Sequence, residues 1–165
     1  MTVIRYARVL GGAAALLASL SACADARPCA GVGTVSGVSV YFVQDGYDRL
    51  PGASWKLCTR GECVEGEVRQ ESVTKAEIRL PDDVDPDAAP VRFSVTRNGA
   101  ATAFIDDSVE LKLRPQSDGC GGGSHTAALA FTKETGLRPD VPEKVSKAWF
   151  HQVRALATAT ATATP

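Results

Sequence analysis

Five cysteines, two histidines and one dense run of aspartates are the residues here whose chemistry goes beyond packing. The run is Asp82-Asp83-Val84-Asp85-Pro86-Asp87. Asp83, Asp85 and Asp87 have the i, i+2, i+4 spacing of a calcium loop, but position six is Ala88 where a glycine is needed. Position twelve is Ser94 where a bidentate glutamate is needed, and Pro86 restricts the backbone. The run therefore reads as a solvated connection. A second stretch, Gly119-Cys120-Gly121-Gly122-Gly123-Ser124-His125, has glycines that could turn backbone amides toward an anion. It has no Lys or Arg and no helix pattern after it, and Ser124 and His125, as neighbours on a strand, would point to opposite faces. A flexible approach to Cys120 is the better reading. Glu62, Glu65 and Glu67 cluster, but exposed strand positions account for them. With His151 near the C-terminus, no acid–base pair presents itself. No catalytic residue, no metal site and no cofactor is assigned.

The leader governs how the cysteines are read. Arg5 and Arg8 form a basic start, Val9 to Leu20 is apolar and small, and Ser21-Ala22 precede Cys23. Residues 1–22 have the pattern of a secretory signal peptide and are short for a membrane span. Leu20-Ser21-Ala22-Cys23 resembles the lipobox of bacterial lipoproteins at all four positions. That resemblance implies a diacylglycerol thioether on the Cys23 sulfur and cleavage before it. Two acyl chains give stable anchoring, at about 0.8 kcal/mol per buried methylene. The expected location is the extracytoplasmic face of the cell membrane. Residues 23–28 then form a very short lipid-anchored tether.

Outside the cytoplasm an even number of remaining cysteines reads as disulfides. Cys29, Cys58, Cys63 and Cys120 allow three pairings. Cys58 with Cys63 is favoured, because these positions flank a short Gly-containing loop, Thr59-Arg60-Gly61-Glu62, on the two arms of a hairpin. Cys29 then pairs with Cys120, closing a loop of about 90 residues, for which chain entropy gives about 4–5 kcal/mol. The alternative is a zinc site made from Cys120, His125 and the hairpin thiols, for which C-x4-C is a loose spacing.

The elements that must position these residues are strands. Gly37 to Gln44 alternates, with Val38, Val40 and Phe42 on one face. Ala53 to Val68 reads as the hairpin. Thr74 to Leu80 and Val91 to Arg97 alternate again. Asn98-Gly99 signals a tight hairpin into Ala101–Ile105, and Ser108–Leu113 follows after a break at Asp106-Asp107. His125 to Thr132 is the last strand. Short strands with turn residues between them and no helix interrupting them predict an all-β chain. The expected architecture is an antiparallel β-sandwich, immunoglobulin-like, over residues 29–138. Residues 139–165 change character. Val145, Trp149, Val153 and Leu156 have helical spacing, and the Ala-Thr alternation from Ala157 to Pro165 is expected to be disordered.

From Cys29 to Phe131 the layout is similar to that of small lipoproteins of filamentous Gram-positive bacteria. The lipobox, the opening strand, the loop entry Leu80-Pro81-Asp82-Asp83 and the segment Asp118–Ser124 followed by a strand carry that similarity. It implies no activity and no site residue. Without residues 1–22, 16 basic side chains face 19 acidic ones, a formal charge of −3. That balance offers no basic patch for nucleic acid. The expectation is a membrane-anchored binding or structural module of the cell envelope, with an envelope protein or polymer as partner. The alternatives are an envelope hydrolase using carboxylates and a small-ligand carrier.

Overall fold

The computed structural model describes residues 34–48, 50–117 and 122–162. The leader, Cys23, the tether, Cys29 and Cys120 lie outside the described residues, and so does the expected Cys29–Cys120 bridge. Among the described residues nine strands precede one helix: β1 Gly37–Val43, β2 Ser54–Thr59, β3 Glu62–Glu67, β4 Val73–Arg79, β5 Ala89–Thr96, β6 Ile105–Leu111, β7 Arg114–Ser117, β8 Gly123–Thr132, β9 Gly136–Arg138 and α1 Glu143–Thr162. The first sheet has the order β4-β1-β8-β7, with β9 also pairing β8; the second has the order β3-β2-β5-β6. Every pairing is antiparallel except β1 with β8.

Alternation decides which side chains meet. Val38, Val40 and Phe42 of β1, Ala76 and Ile78 of β4 and Leu129 and Phe131 of β8 turn inward from the first sheet. Leu57 of β2, Val91, Phe93 and Val95 of β5 and Leu111 of β6 turn inward from the second. The two sets form one core, so the sheets pack face to face as a β-sandwich. Phe42, Phe93 and Phe131 meet at its centre with ring centroids 5.6–5.8 Å apart.

The hairpin β2–β3 turns through Arg60 and Gly61, at φ 52° and 82°. Positive φ at both central residues is the two-residue turn whose twist suits antiparallel strands. Cys58 and Cys63 sit directly opposite each other with Cα atoms 4.2 Å apart and are disulfide-bonded, the favoured pairing. The turn itself is two residues, because Thr59 and Glu62 already pair.

Three sequence expectations are corrected. Asn98-Gly99 does turn the chain, with the Ala100 N–H donating to the Arg97 carbonyl, but pairing resumes only at Val95 opposite Ile105. Residues 101–104 are a loop because Phe104 turns onto Tyr47 (6.1 Å) and under the Arg97 guanidinium (4.3 Å). Asp106 and Asp107 do not break the strand but lie within β6. Arg92 makes a two-pronged pair with Asp106, and the Asp107 carboxylate accepts the Leu137 N–H of β9 at 2.8 Å. The Ala-Thr alternation is helical through Thr162. Alanine is the best helix former, and Thr158 and Thr160 return their hydroxyls to the carbonyls of Arg154 and Leu156.

Gln152 fastens the helix to the edge of the first sheet. The Gln152 amide donates to the Val73 carbonyl (2.9 Å) and accepts from the Val73 N–H (3.1 Å), as a neighbouring strand would. It also donates to Glu71 and accepts from the Ser72 hydroxyl. The open edge of β4 is thereby capped at Val73. Gln152→Ala leaves the buried Val73 peptide unpaired. We expect a loss of about 1–3 kcal/mol in urea unfolding, with faster amide exchange at Val73.

Candidate functional site

Trp55 and Gly66 lie directly opposite each other on β2 and β3. The absence of a side chain at Gly66 is what makes room for the indole. A Cβ there would come within 2.3 Å of the Trp55 ring, so the ring lies across the glycine. After β3 the chain passes through Arg69 and Glu71 into β4. Gln44 holds this connection, its amide donating to the Arg69 carbonyl (3.0 Å) and to the Thr74 hydroxyl (2.8 Å). One turn before Gln152, Trp149 sits edge-on to Tyr41 of β1, with centroids 5.8 Å apart. Tyr41 faces outward because Phe42 must face inward.

Trp55, Gly66, Arg69, Glu71 and Trp149 line one groove of about 350 Å³, where the edges β3 and β4 meet the helix. That volume lies at the lower end of ordinary ligand sites, roughly 300–1,000 Å³. Two indoles, Trp55 and Trp149, supply apolar faces. Glu67, Glu71, Arg69 and Lys75 supply two charges of each sign. Lys75 is engaged with Glu77 (2.6 Å) and Glu71 with Gln152 (2.7 Å). Arg69 and Glu67 form no ion pair among the described residues. Such a lining can stack a ring and satisfy hydroxyl or amide groups around it. It has no net charge with which to favour an ion.

A second cavity, about 250 Å³, lies against the first turns of α1 and brings Asp45, Glu134 and Lys144 together. Here too a pair of carboxylates, Asp45 and Glu134, meets concavity. Glu134 is held below the ordinary glutamate range by its own backbone N–H first and the Thr132 hydroxyl next, with Lys144 and Lys133 adding. A general acid needs the opposite shift. Nearby, burial and the Glu134 charge push the Tyr47 phenol up. Two hollows of about 440 Å³ each flank Pro139, one along Thr126–Ala128 and one along Glu110–Pro115, and neither has an aromatic residue in its lining.

The residues singled out by sequence are scattered. Asp82, Asp83, Asp85 and Asp87 are exposed, and Asp85 and Asp87 serve local structure. The Asp85 carboxylate caps the Asp87 N–H (2.9 Å), while the Asp87 carboxylate faces Lys112 (3.5 Å) and its carbonyl accepts from Arg60. Glu62, Glu65 and Glu67 are exposed on edge strand β3, and Glu65 pairs with Lys56 (2.7 Å). Ser124 is buried and His125 partly buried on β8, the latter's N–H donating to the Ser36 hydroxyl (3.0 Å). No group of three or more metal-ligating side chains occurs among the described residues. Sequence reasoning missed the groove. The available signals were a glycine inside a strand pattern and a tryptophan on the helix face, both of which also suit plain packing.

Glu134 gives a direct check on the second cavity. Its folded value lies below its unfolded one, so its contribution to stability is present above the ordinary glutamate value and is lost as pH falls through the folded value. In an NMR titration Glu134 should lose its charge below the ordinary glutamate value, and Thr132→Val should move it upward. An unchanged titration would remove the hydroxyl from the account. No protein-family model matches the chain, and no curated protein or solved structure matches it.

Proposed function

We propose that this chain is a lipid-anchored, extracytoplasmic binding module that holds a polyhydroxylated envelope polymer, a glycan, in the groove between Trp55 and Trp149. The observation that carries the ligand class is the pair of indoles set among balanced charges. Sugar rings present apolar C–H faces and a rim of hydroxyls. An indole stacks on the first, and groups such as Arg69 and Glu67 exchange hydrogen bonds with the second. A strongly anionic or cationic ligand would call for a one-sided lining.

The anchor rests on Leu20-Ser21-Ala22-Cys23, which resembles a lipobox. Among the described residues no helix is long and apolar enough to cross a membrane. The sandwich is proposed to be immunoglobulin-like in the broad sense. The parallel pairing of the first strand with the long strand β8 supports this reading. Its second sheet departs from the immunoglobulin pattern. There β2–β3 and β5–β6 each run from centre to edge, whereas the A–B and D–E strands run from edge to centre.

Two measurements test the proposal. Calorimetric titration of the full chain with soluble cell-wall glycan should show saturable binding. Trp55→Ala and Trp149→Ala should each weaken it about tenfold or more, some 1.4 kcal/mol or above. Gly66→Ala should weaken it too, by pushing the Trp55 ring aside without deleting it. Unchanged binding in all three variants would rule the groove out, and binding only to an envelope protein would replace the glycan. Separately, the intact mass of chain extracted from membranes should include a diacylglyceryl group on Cys23. It should rise by two hydrogens per disulfide on reduction. An unlipidated mass would sink the anchor.

A further inference from the structure

Helix α1 docks one apolar face on the sandwich and leaves an aromatic residue, Phe150, outside that face. Val145 is buried (3 % exposed), and Trp149 and Gln152 dock on the first sheet. Phe150, turned away from that face, is 62 % exposed; Val153, at its margin, is 40 % exposed, and Leu156, further along it, 52 %. Phe150 shares a shallow hollow with Lys147, His151 and Arg154. The helix as a whole has three Lys or Arg and a single acid, Glu143, in a chain whose formal charge is −1. Lys147 pairs with Glu143 at 2.7 Å, but both ends are exposed. Such a pair contributes little and yields readily to a competing anion.

We infer that this outer face of α1, with Phe150 beside Lys147 and Arg154 and Val153 at its margin, lies on the surface of an anionic lipid bilayer. A cationic rim beside an aromatic wedge matches the boundary where phosphate headgroups meet acyl chains. The charge pattern disfavours the other occupants. In a two-fold pairing of this face with a second copy, Lys147 and Arg154 would meet like charges. A stable protein partner needs about 800 Å² per side, far more than these few side chains present. The contact needs neither the glycan groove nor the lipid anchor to be correct.

The test is hydrogen exchange of the full chain reconstituted on vesicles of phosphatidylcholine, with and without an admixed third of phosphatidylglycerol. The chain is coupled through its N-terminus to a neutral lipid present in both vesicle types, so only lipid charge differs. Amides from Val153 to Ala159 should exchange at least about tenfold more slowly on the anionic vesicles, and molar salt should abolish the difference. Phe150→Ser and Arg154→Glu, both at exposed positions, should abolish it while far-UV circular dichroism stays unchanged. Equal exchange on both vesicle types would overturn the inference. So would protection that followed protein density instead of lipid charge, which would assign the face to a second copy.

Discussion

Three phenylalanines hold the two sheets together. Phe42 and Phe131 come from adjacent parallel strands of one sheet and Phe93 from the centre of the other, and each ring touches both others. Because side chains alternate along a strand, this contact sets the parity of β1, β5 and β8 at once. With Phe42 inward, Tyr41 must face out, and Tyr41 is the surface on which Trp149 lands. With Phe93 inward, Arg92 faces out and reaches Asp106 across the strand pair. A one-residue slip in β1 would exchange these faces and remove both the core and the seat of the helix.

The helix answers a problem that the sandwich creates. A sheet whose edge is open presents unpaired peptide groups, and β4 is such an edge. Gln152 caps its first residue, Val73, with a side-chain amide that imitates a peptide on both its donor and its acceptor side. Capping the edge this way leaves space between helix, β4 and β3, and that space is the groove. Edge strand β3 is protected differently, by charged side chains and by the disulfide at its turn. The groove therefore lies between two edges defended by different means. That is why it is open, and why its walls are mixed in chemistry.

Much of the fold was legible because it rests on local alternation. Gly37 to Gln44, the Ala53–Val68 hairpin, Thr74 to Leu80, Val91 to Arg97 and His125 to Thr132 each show their inward residues at every second position, and the core uses those residues. Cys58 and Cys63 were legible for the same reason, since a turn of known length places its flanking residues opposite each other. Ala101–Phe104 misled because an Asn-Gly turn predicts immediate pairing. Phe104 instead found Tyr47, a residue far away in the chain. The short strands β7 and β9 carry too few residues to show alternation, and they exist because β8 offers them a partner. The groove was not legible, since Gly66 and Trp149 mean something only once Trp55 and Tyr41 stand opposite them.

What the sequence by itself determined is what depends on neighbours along the chain: the strand periods and the hairpin with its disulfide. What only the tertiary structure decided is what depends on pairs distant in sequence. The parallel β1–β8 pairing, the seat of α1 on β4 and the meeting of two tryptophans from opposite ends of the fold are all of that kind. The physical reason is the range of the forces involved. Turn geometry and side-chain alternation act over a few residues and leave a periodic trace. Burial of apolar surface is non-directional, and any strand with the right face could have satisfied it. The choice among partners was made by the mutual fit of side chains such as Phe42, Phe93 and Phe131, which no single segment contains.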